Sequence, residues 1–151
     1  MNVETVLLPN GREAPLDIVR HPGGAAIVAV DAGHNVCLLR QYRHAAGGWI
    51  WELPAGKLEP GEPPLLTAQR ELVEEAGVAA ADWQDLQPIH SSPGVFTEVI
   101  HLFLATTLSP RPSAHEEHEV IEVHWIPLAT AVERALSGDL ADAKTTIGLL
   151  R

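Results

Sequence analysis

The sequence predicts an α+β domain with a mixed β-sheet and several helices. Short runs rich in Val, Ile, Leu and Trp alternate with turn residues through most of the chain, which is the pattern of strands. One segment near the middle and two near the end have the composition and flanking residues of helices. Because the chain has 151 residues, of which 46% are hydrophobic and 20% charged, we expect a single domain over residues 1–151.

The first third of the chain is predicted to consist of strands and turns. Two strand-like segments flank the turn sequence PNGRE, which indicates a β-hairpin over about residues 3–20. Two apolar runs flank the short loop DAGHN and predict a second, largely buried hairpin. The segment WIWELPAG follows as another short strand. The predicted strands are residues 4–8, 16–20, 25–30, 36–42 and one that ends at Pro54.

A helix is predicted from about Pro64 to Ala76. Proline suits the first turn, where its missing N–H is not needed, and Gly77 suits the position just after the last turn. Strands and then two helices complete the chain, the helices being separated by the sequence SGD. These elements are predicted at residues 85–90, 99–105 and 119–128 for the strands, and 127–138 and 139–151 for the helices.

Charge and cysteine content exclude some classes of protein. The formal net charge of -10 disfavours broad binding to nucleic acid or to anionic membranes. The single cysteine, Cys37, permits no internal disulfide and is expected to be a small core residue. Residues 1–13 lack the pattern of a signal peptide, and no apolar run is long enough to span a membrane. We therefore expect a cytoplasmic protein.

The predicted helix combines an apolar stripe with an anionic stripe. At about 100° per residue, the apolar stripe comprises Leu65, Leu66, Ala68, Leu72, Val73 and Ala76. Glu71, Glu74 and Glu75 form the adjoining stripe, and Arg70 flanks it. Like charges spaced in this way repel by a few tenths of a kcal/mol, whereas Mg²⁺ or Mn²⁺ would convert the repulsion into coordination. A solvated helix face is the alternative explanation for these residues alone.

The surrounding residues complete a longer pattern, G-x5-E-x7-R-E-U-x-E-E-x-G-U, in which U is a bulky aliphatic residue. The matching residues are Gly56, Glu62, Arg70, Glu71, Leu72, Glu74, Glu75, Gly77 and Val78. This pattern resembles the Nudix box of the Nudix hydrolases, which cleave nucleoside diphosphates linked to another moiety. The resemblance implies a Nudix fold, an α/β/α sandwich with a mixed β-sheet, and Mg²⁺ as cofactor, with Mn²⁺ as the alternative.

The resemblance also implies roles for individual residues. Glu71 and Glu75 would be the principal metal ligands and catalytic groups, joined by Glu74 and the carbonyl of Ala55. The catalytic Arg70 would orient this cluster together with Glu62, while Gly56 and Gly77 would be structural. A guanidinium beside a carboxylate restricts its rotamer, and glycine allows a close approach of the backbone.

Other segments resemble the ADP-ribose pyrophosphatase subgroup. They are the early LPNGRE hairpin, LLRQYRHA before WELPAG, Pro93 downstream of the box, and DAKTTIGLL near the end. This similarity implies hydrolysis of ADP-ribose, or a related nucleoside diphosphate sugar, to AMP and ribose 5-phosphate. Hydrolysis of dinucleoside polyphosphates or other nucleoside diphosphate derivatives is one alternative, and a noncatalytic nucleotide-sugar sensor is a more distant one.

Substrate contacts are expected outside the box. Arg43 is a candidate for the substrate phosphate, with a surface arginine as the alternative. By the resemblance Glu52 and Pro93 would help to hold the substrate, although Glu52 could equally face solvent. Trp49 and Trp51 share a strand face and could stack on a base or pack in the protein.

A catalytic base is expected outside the box, because carboxylates that ligate metal are poor proton acceptors. The subgroup places it on a late loop before a strand, where Glu119 fits best, and Glu116 and Glu117 remain open. The neighbouring His115 and His118 lack a metal-binding spacing and are interpreted as solvated. The hairpin at about residues 3–20 is too small for its own core, and the resemblance implies that it forms a homodimer.

Overall fold

The computed structural model describes residues 2–113 and 120–151, and its helices come in the predicted order, although it also contains strands that were not predicted. The strands are β1 (Asn2–Leu7), β2 (Glu13–Ile18), β3 (Gly24–Ala29), β4 (Asn35–Arg43), β5 (Gly48–Glu52), β6 (Ala55–Lys57), β7 (Val78–Asp85), β8 (Ile89–His90), β9 (Val99–Pro110) and β10 (Ile121–Pro127). The helices are α1 (Pro64–Ala76), α2 (Leu128–Ser137) and α3 (Ala143–Leu150), with a 3₁₀ turn at His44–Ala46.

Within the part of the chain that the structure describes, the strands form three sheets. The hairpin β1–β2 stands alone, the order β10–β4–β5 makes a second sheet, and β6–β3–β9–β7 makes a third to which β8 adds by pairing with β9. Strands β3 and β9 are parallel and the other ladders are antiparallel, so the sheet structure is mixed. This arrangement confirms the predicted α+β class.

Helices cover both faces of the two larger sheets. One core cluster joins Ile27 and Leu39 to Leu72 of α1, and the other joins Val28 and Leu38 to helices α2 and α3. Because side chains alternate along a strand, β3 and β4 contribute to both clusters. The result is the α/β/α sandwich that the resemblance implies.

The predicted second hairpin is wrong. Strands β3 and β4 are joined by a tight turn, in which the Asp31 N–H donates to Asn35 O at 2.9 Å, but they then enter different sheets. Beyond this turn the two strands share the isolated bridge between Val30 and Val36, and among the described residues no ladder pairs them. All six residues of β3 are buried, and a strand that is apolar on both faces carries no signal of which strand will be its neighbour.

Helix α1 has the predicted bounds. Gly77 adopts a left-handed conformation with φ of 66°, and its N–H donates to Val73 O to close the last turn. One residue of the predicted apolar stripe is misplaced, since Leu66 is 52% exposed. Thr67 and Glu75 are buried instead, which places a carboxylate at the edge of the core.

The segment after α1 differs most from expectation. Strand β7 was not predicted, because its alanine-rich sequence has little intrinsic strand preference and forms through pairing with the long β9. The predicted strand at 85–90 is reduced to Ile89–His90. Helix α3 begins at Ala143, later than expected, because Asp142 caps it by accepting from the Thr145 N–H.

Cys37 is fully buried, as predicted, and burial raises the pKa of its thiol to about 12. None of the described helices is long and apolar enough to cross a membrane.

Candidate active site

A cleft of about 700 Å³ opens between two walls of the sandwich. One wall consists of β6 and the anionic stripe of α1, which contributes Glu71, Glu74 and Glu75. The other consists of the end of β4 and the start of α3, which contribute Arg43 and Lys144. The cleft therefore has a carboxylate-rich wall and a wall that carries basic side chains.

Arg70 connects the carboxylates of the first wall. Its Nη1 atom donates to Glu71 Oε1 at 2.7 Å and to Glu74 Oε2 at 3.2 Å. Its Nη2 atom donates to Glu62 Oε2 and to the carbonyl of Lys57, both at 3.3 Å. The hydrogen bond with Glu62 raises the pKa of Arg70 further above its ordinary value. Arg70 is thus a permanent cation that offsets part of the repulsion between the glutamates.

Glu62 anchors Arg70 from the loop before the helix. Its carboxylate accepts from Thr67 Oγ1 at 2.7 Å and from the Glu59 N–H at 3.2 Å, in addition to Arg70. The hydrogen bond from Arg70, followed by that from Thr67, lowers the pKa of Glu62 to about 2. Glu62 is therefore ionised at neutral pH and restricts the position of Arg70.

Glu75 and Ala55 are joined directly. Oε2 of Glu75 accepts from the Ala55 N–H at 2.8 Å, and Glu75 is buried although it borders the cleft. This bond fixes β6 against α1. The main chain of Ala55 and the carboxylate of Glu75 therefore border the same end of the cleft.

Gly56 allows Glu71 to reach the cleft. A Cβ atom built on Gly56 would lie 1.8 Å from Oε1 and 2.0 Å from Cδ of Glu71. No larger residue fits unless Glu71 moves, which explains the glycine at the start of the box. Gly77 is needed for a different reason, since its backbone is left-handed.

The residues of the first wall fit a divalent cation by their chemistry. The metal-ligand atoms would be the carboxylate oxygens of Glu71, Glu74 and Glu75 together with the carbonyl oxygen of Ala55. Mg²⁺ and Mn²⁺ prefer oxygen ligands. Among the described residues, no three His, Cys, Asp or Glu side chains already converge as the ligands of an ion would. The donor set is present, with Arg70 bonded to two of its members.

An ion-pair network centred on the buried Glu52 connects the two cations of the opposite wall. Glu52 accepts from Arg43 Nε at 2.7 Å and from Lys144 Nζ at 2.5 Å. Lys144 also lies 3.0 Å from Oδ2 of Asp142. The sequence alone indicates Arg43 and Glu52 but not Lys144, although the segment that contains Lys144, DAKTTIGLL, is similar to the subgroup.

The remaining candidates lie at or beyond the edge of the cleft. Pro93 is exposed in a turn and is not among the residues that line the cleft. Ser91, which precedes it in the chain, and Glu98, which follows it, both border the cleft. Neither Trp49 nor Trp51 is among the described residues that line the cleft. An arginine packs over the ring of each tryptophan. The proposed base Glu119, its alternatives Glu116 and Glu117, and the histidines His115 and His118 lie outside the described residues.

His21 and Glu98 border the cleft and were not anticipated. His21 Nδ1 lies 3.2 Å from Glu98 Oε1. Hydrogen bonds between His21 and Thr97 bring the two segments together. Neither residue belongs to a sequence motif, so only the fold reveals the pair.

Comparison with known proteins identifies relatives over most of the chain. The family model of the NUDIX domain matches residues 20–146. The chain is 41% identical over 150 residues to an ADP-ribose pyrophosphatase of Mycobacterium tuberculosis, covering 97% of this chain and 72% of the relative. It is 40% identical over 149 residues to an ADP-ribose pyrophosphatase of Bacillus subtilis, covering 97% of this chain and 80% of the relative.

A solved structure described as an ADP compounds hydrolase has a similar fold. It matches with a TM-score of 0.81 and 24% identity, covering 99% of this chain and 89% of the other. At this identity the likeness supports the fold alone.

Proposed function

The chain belongs to the NUDIX family and is a Nudix hydrolase, and we propose that it hydrolyses ADP-ribose, or a related nucleoside diphosphate sugar, to AMP and ribose 5-phosphate. The observation that carries this proposal is the pairing of a carboxylate wall with a wall that presents Arg43 across one cleft. The two relatives named as ADP-ribose pyrophosphatases support the choice of substrate.

The proposed cofactor is Mg²⁺, with Mn²⁺ as the alternative. Glu71, Glu74, Glu75 and the carbonyl of Ala55 would hold the ion. A bound divalent cation neutralises charge that develops on phosphate oxygens and makes water a stronger nucleophile. Arg70 would support these ligands by holding Glu71, and Gly56 would support them by leaving room for the Glu71 carboxylate.

The remaining residues bind the substrate and move the proton. Arg43 contacts the diphosphate from the opposite wall. A water oxygen bonds to one phosphorus while the bridging P–O bond breaks, and Glu119 accepts the proton of that water. A carboxylate outside the box suits this step, because the box glutamates would be engaged in holding the metal ion.

Two further properties belong to the proposal. We propose a homodimer formed through the hairpin β1–β2, whose Val3 and Leu7 are exposed. We also propose that the protein is cytoplasmic, because its one cysteine is buried and permits no internal disulfide.

Product analysis of the purified protein tests the function. ADP-ribose, other nucleoside diphosphate sugars and diadenosine polyphosphates are incubated with Mg²⁺, with Mn²⁺ and with a chelator. We expect AMP and ribose 5-phosphate from ADP-ribose in preference to the others, with complete loss in chelator. Activity on a different compound alone would overturn the substrate, and ligand binding without turnover of any compound would favour the sensor.

A further inference from the structure

Glu52 is an unusual residue to find beside a substrate cleft. Its side chain is only 5% exposed, and both carboxylate oxygens are already bonded, one to Arg43 and one to Lys144. An ionised carboxylate that is removed from water needs such partners to be stable. Glu52 is not among the described residues that line the cleft, and in the structure its carboxylate holds Arg43 and Lys144.

Lys144 is held in place by the start of α3. Asp142 accepts from the Thr145 N–H at 3.0 Å and from Thr145 Oγ1, and it also pairs with Lys144. Thr145 Oγ1 in turn accepts from the Leu53 N–H at 2.8 Å. The first turn of α3 is thus bonded to the chain one residue beyond Glu52, which fixes the distance between Lys144 and Glu52.

The two cations of this network, Lys144 and Arg43, have different surroundings and therefore different roles. Lys144 faces two carboxylates, Glu52 and Asp142, and its side chain is 13% exposed. Arg43 pairs with Glu52 through Nε alone, and its side chain is 43% exposed. Within the described ranges, neither terminal nitrogen of Arg43 donates a hydrogen bond. Arg43 is therefore the cation that retains donors for an anionic ligand.

We infer that Lys144 is a positioning residue of the substrate site: by holding the buried Glu52 it fixes Arg43 in the orientation that contacts the substrate diphosphate. This inference rests on the proposed function and extends it to a residue that does not touch the substrate. Without Lys144, the Glu52 carboxylate would pair with Arg43 alone. The guanidinium of Arg43 would then turn toward Glu52 and away from the cleft.

The variant Lys144→Met tests the inference. We expect KM for ADP-ribose to rise about tenfold and kcat to change by less than about threefold, since the carboxylate wall is untouched. Calorimetric affinity for ADP-ribose in chelator, where no turnover occurs, should fall by the same factor. Lys144→Arg should restore most of both values, because a guanidinium can also bridge Glu52 and Asp142.

Arg134→Met is the matched control. Arg134 is also a helical cation paired with an aspartate, at 2.6 Å from Asp139, but it does not line the cleft. We expect its KM and ADP-ribose affinity to stay within about twofold of the wild type. Thermal unfolding of each variant checks that it is folded at the assay temperature. If Lys144→Met is not folded there, Lys144→Gln takes its place.

A double-mutant cycle shows whether Lys144 acts through Glu52. In the Glu52→Gln background, adding Lys144→Met should change the affinity for ADP-ribose by less than about twofold. A full tenfold effect in that background would overturn the inference in favour of a direct contact. An unchanged affinity of Lys144→Met alone would also overturn it, whether or not the wild type hydrolyses ADP-ribose.

The binding assay also separates this inference from the proposed function. If the wild type binds ADP-ribose in chelator but hydrolyses no compound with metal, the proposed function fails and a loss of affinity in Lys144→Met still supports the positioning role. If the wild type does not bind ADP-ribose at millimolar concentration, the inference fails, because Arg43 then has no such ligand to contact.

Discussion

Gly56 illustrates how one backbone position controls the carboxylate wall. The space that a side chain would occupy is filled by the Glu71 carboxylate, at 1.8 Å from the position of a Cβ atom. Glu71 is also bonded to Arg70, which Glu62 anchors in turn. A change as small as one methyl group should therefore alter activity without removing any charged group.

For Gly56→Ala we expect a fall in kcat of at least about 100-fold, because Glu71 must leave its position for the methyl group to fit. Gly94→Ala is the control, since a Cβ atom there meets nothing within 4 Å and the backbone is not left-handed. Steady-state hydrolysis of ADP-ribose measures both variants. Activity of Gly56→Ala equal to that of the wild type would show that Glu71 is not required in this position.

Glu75→Gln tests the proposed ligand more directly. Glutamine keeps an oxygen that can accept from the Ala55 N–H, a bond of 2.8 Å in the structure, so the fold should survive. The loss of negative charge should lower turnover by orders of magnitude. Circular dichroism checks the fold and product formation checks the activity. Unchanged turnover at saturating Mg²⁺ would remove Glu75 from the set of metal ligands.

Glu62 should contribute to stability in a defined pH window. The hydrogen bond from Arg70 lowers its pKa from 4.5 to about 2, so its stabilising effect is complete above 4.5 and is lost as pH falls toward 2. We expect Glu62→Gln to be less stable than the wild type at neutral pH and the difference to shrink across this window. Urea unfolding from pH 6 to 2 measures it, with Glu13→Gln in the exposed hairpin as control. A constant difference would contradict the prediction.

Among the elements, α1 was the most predictable and the strand pairing the least. Local signals fix both ends of α1, namely Pro64 and Gly77. Strand β7 exists because β9 pairs with it, and the separation of β3 from β4 depends on the two cores on either side. Such partners are distant in the chain, so residue patterns within one segment do not reveal them.

Two of the three leucines of α1, Leu66 and Leu72, provide a test of its orientation. Leu72 is fully buried, whereas Leu66 is 52% exposed despite its place in the predicted apolar stripe. Leu72→Ala should lower the free energy of unfolding by about 2–5 kcal/mol, as expected when a cavity is left in a core. Leu66→Ala should lower it by less than about 1 kcal/mol. Equal effects in urea unfolding would mean that the helix is rotated relative to the structure.

At the scale of the whole molecule, the fold brings together residues that sequence spacing cannot relate. The box placed Glu71, Glu74 and Glu75 on one wall, as predicted, because they belong to one helix. The opposite wall joins Glu52 to Lys144 across 92 positions of the chain. Lys144 was missed because a lone lysine gives no local signal, whereas three glutamates at helical spacing do.

The hairpin β1–β2 presents exposed apolar side chains that a second subunit would cover. Among the described residues no third strand joins its sheet, and Val3 and Leu7 on one face are 69% and 72% exposed. An isolated two-stranded hairpin is marginally stable in water, so burial of this face against a second copy would stabilise it. The homodimer is therefore a prediction about the assembly as a whole.

Leu7→Asp tests this assembly. A charge on the buried face of a dimer would be desolvated without a partner, so we expect the wild type to be a dimer at micromolar concentration and Leu7→Asp a monomer. Leu136→Asp is the matched control, because Leu136 is 71% exposed on α2, away from the hairpin, and should leave the dimer intact. Light scattering measures all three proteins. A monomeric wild type would exclude the hairpin as an interface. Dissociation caused equally by Leu136→Asp would exclude it as the specific interface, because the same charge at an unrelated exposed leucine should not affect the dimer.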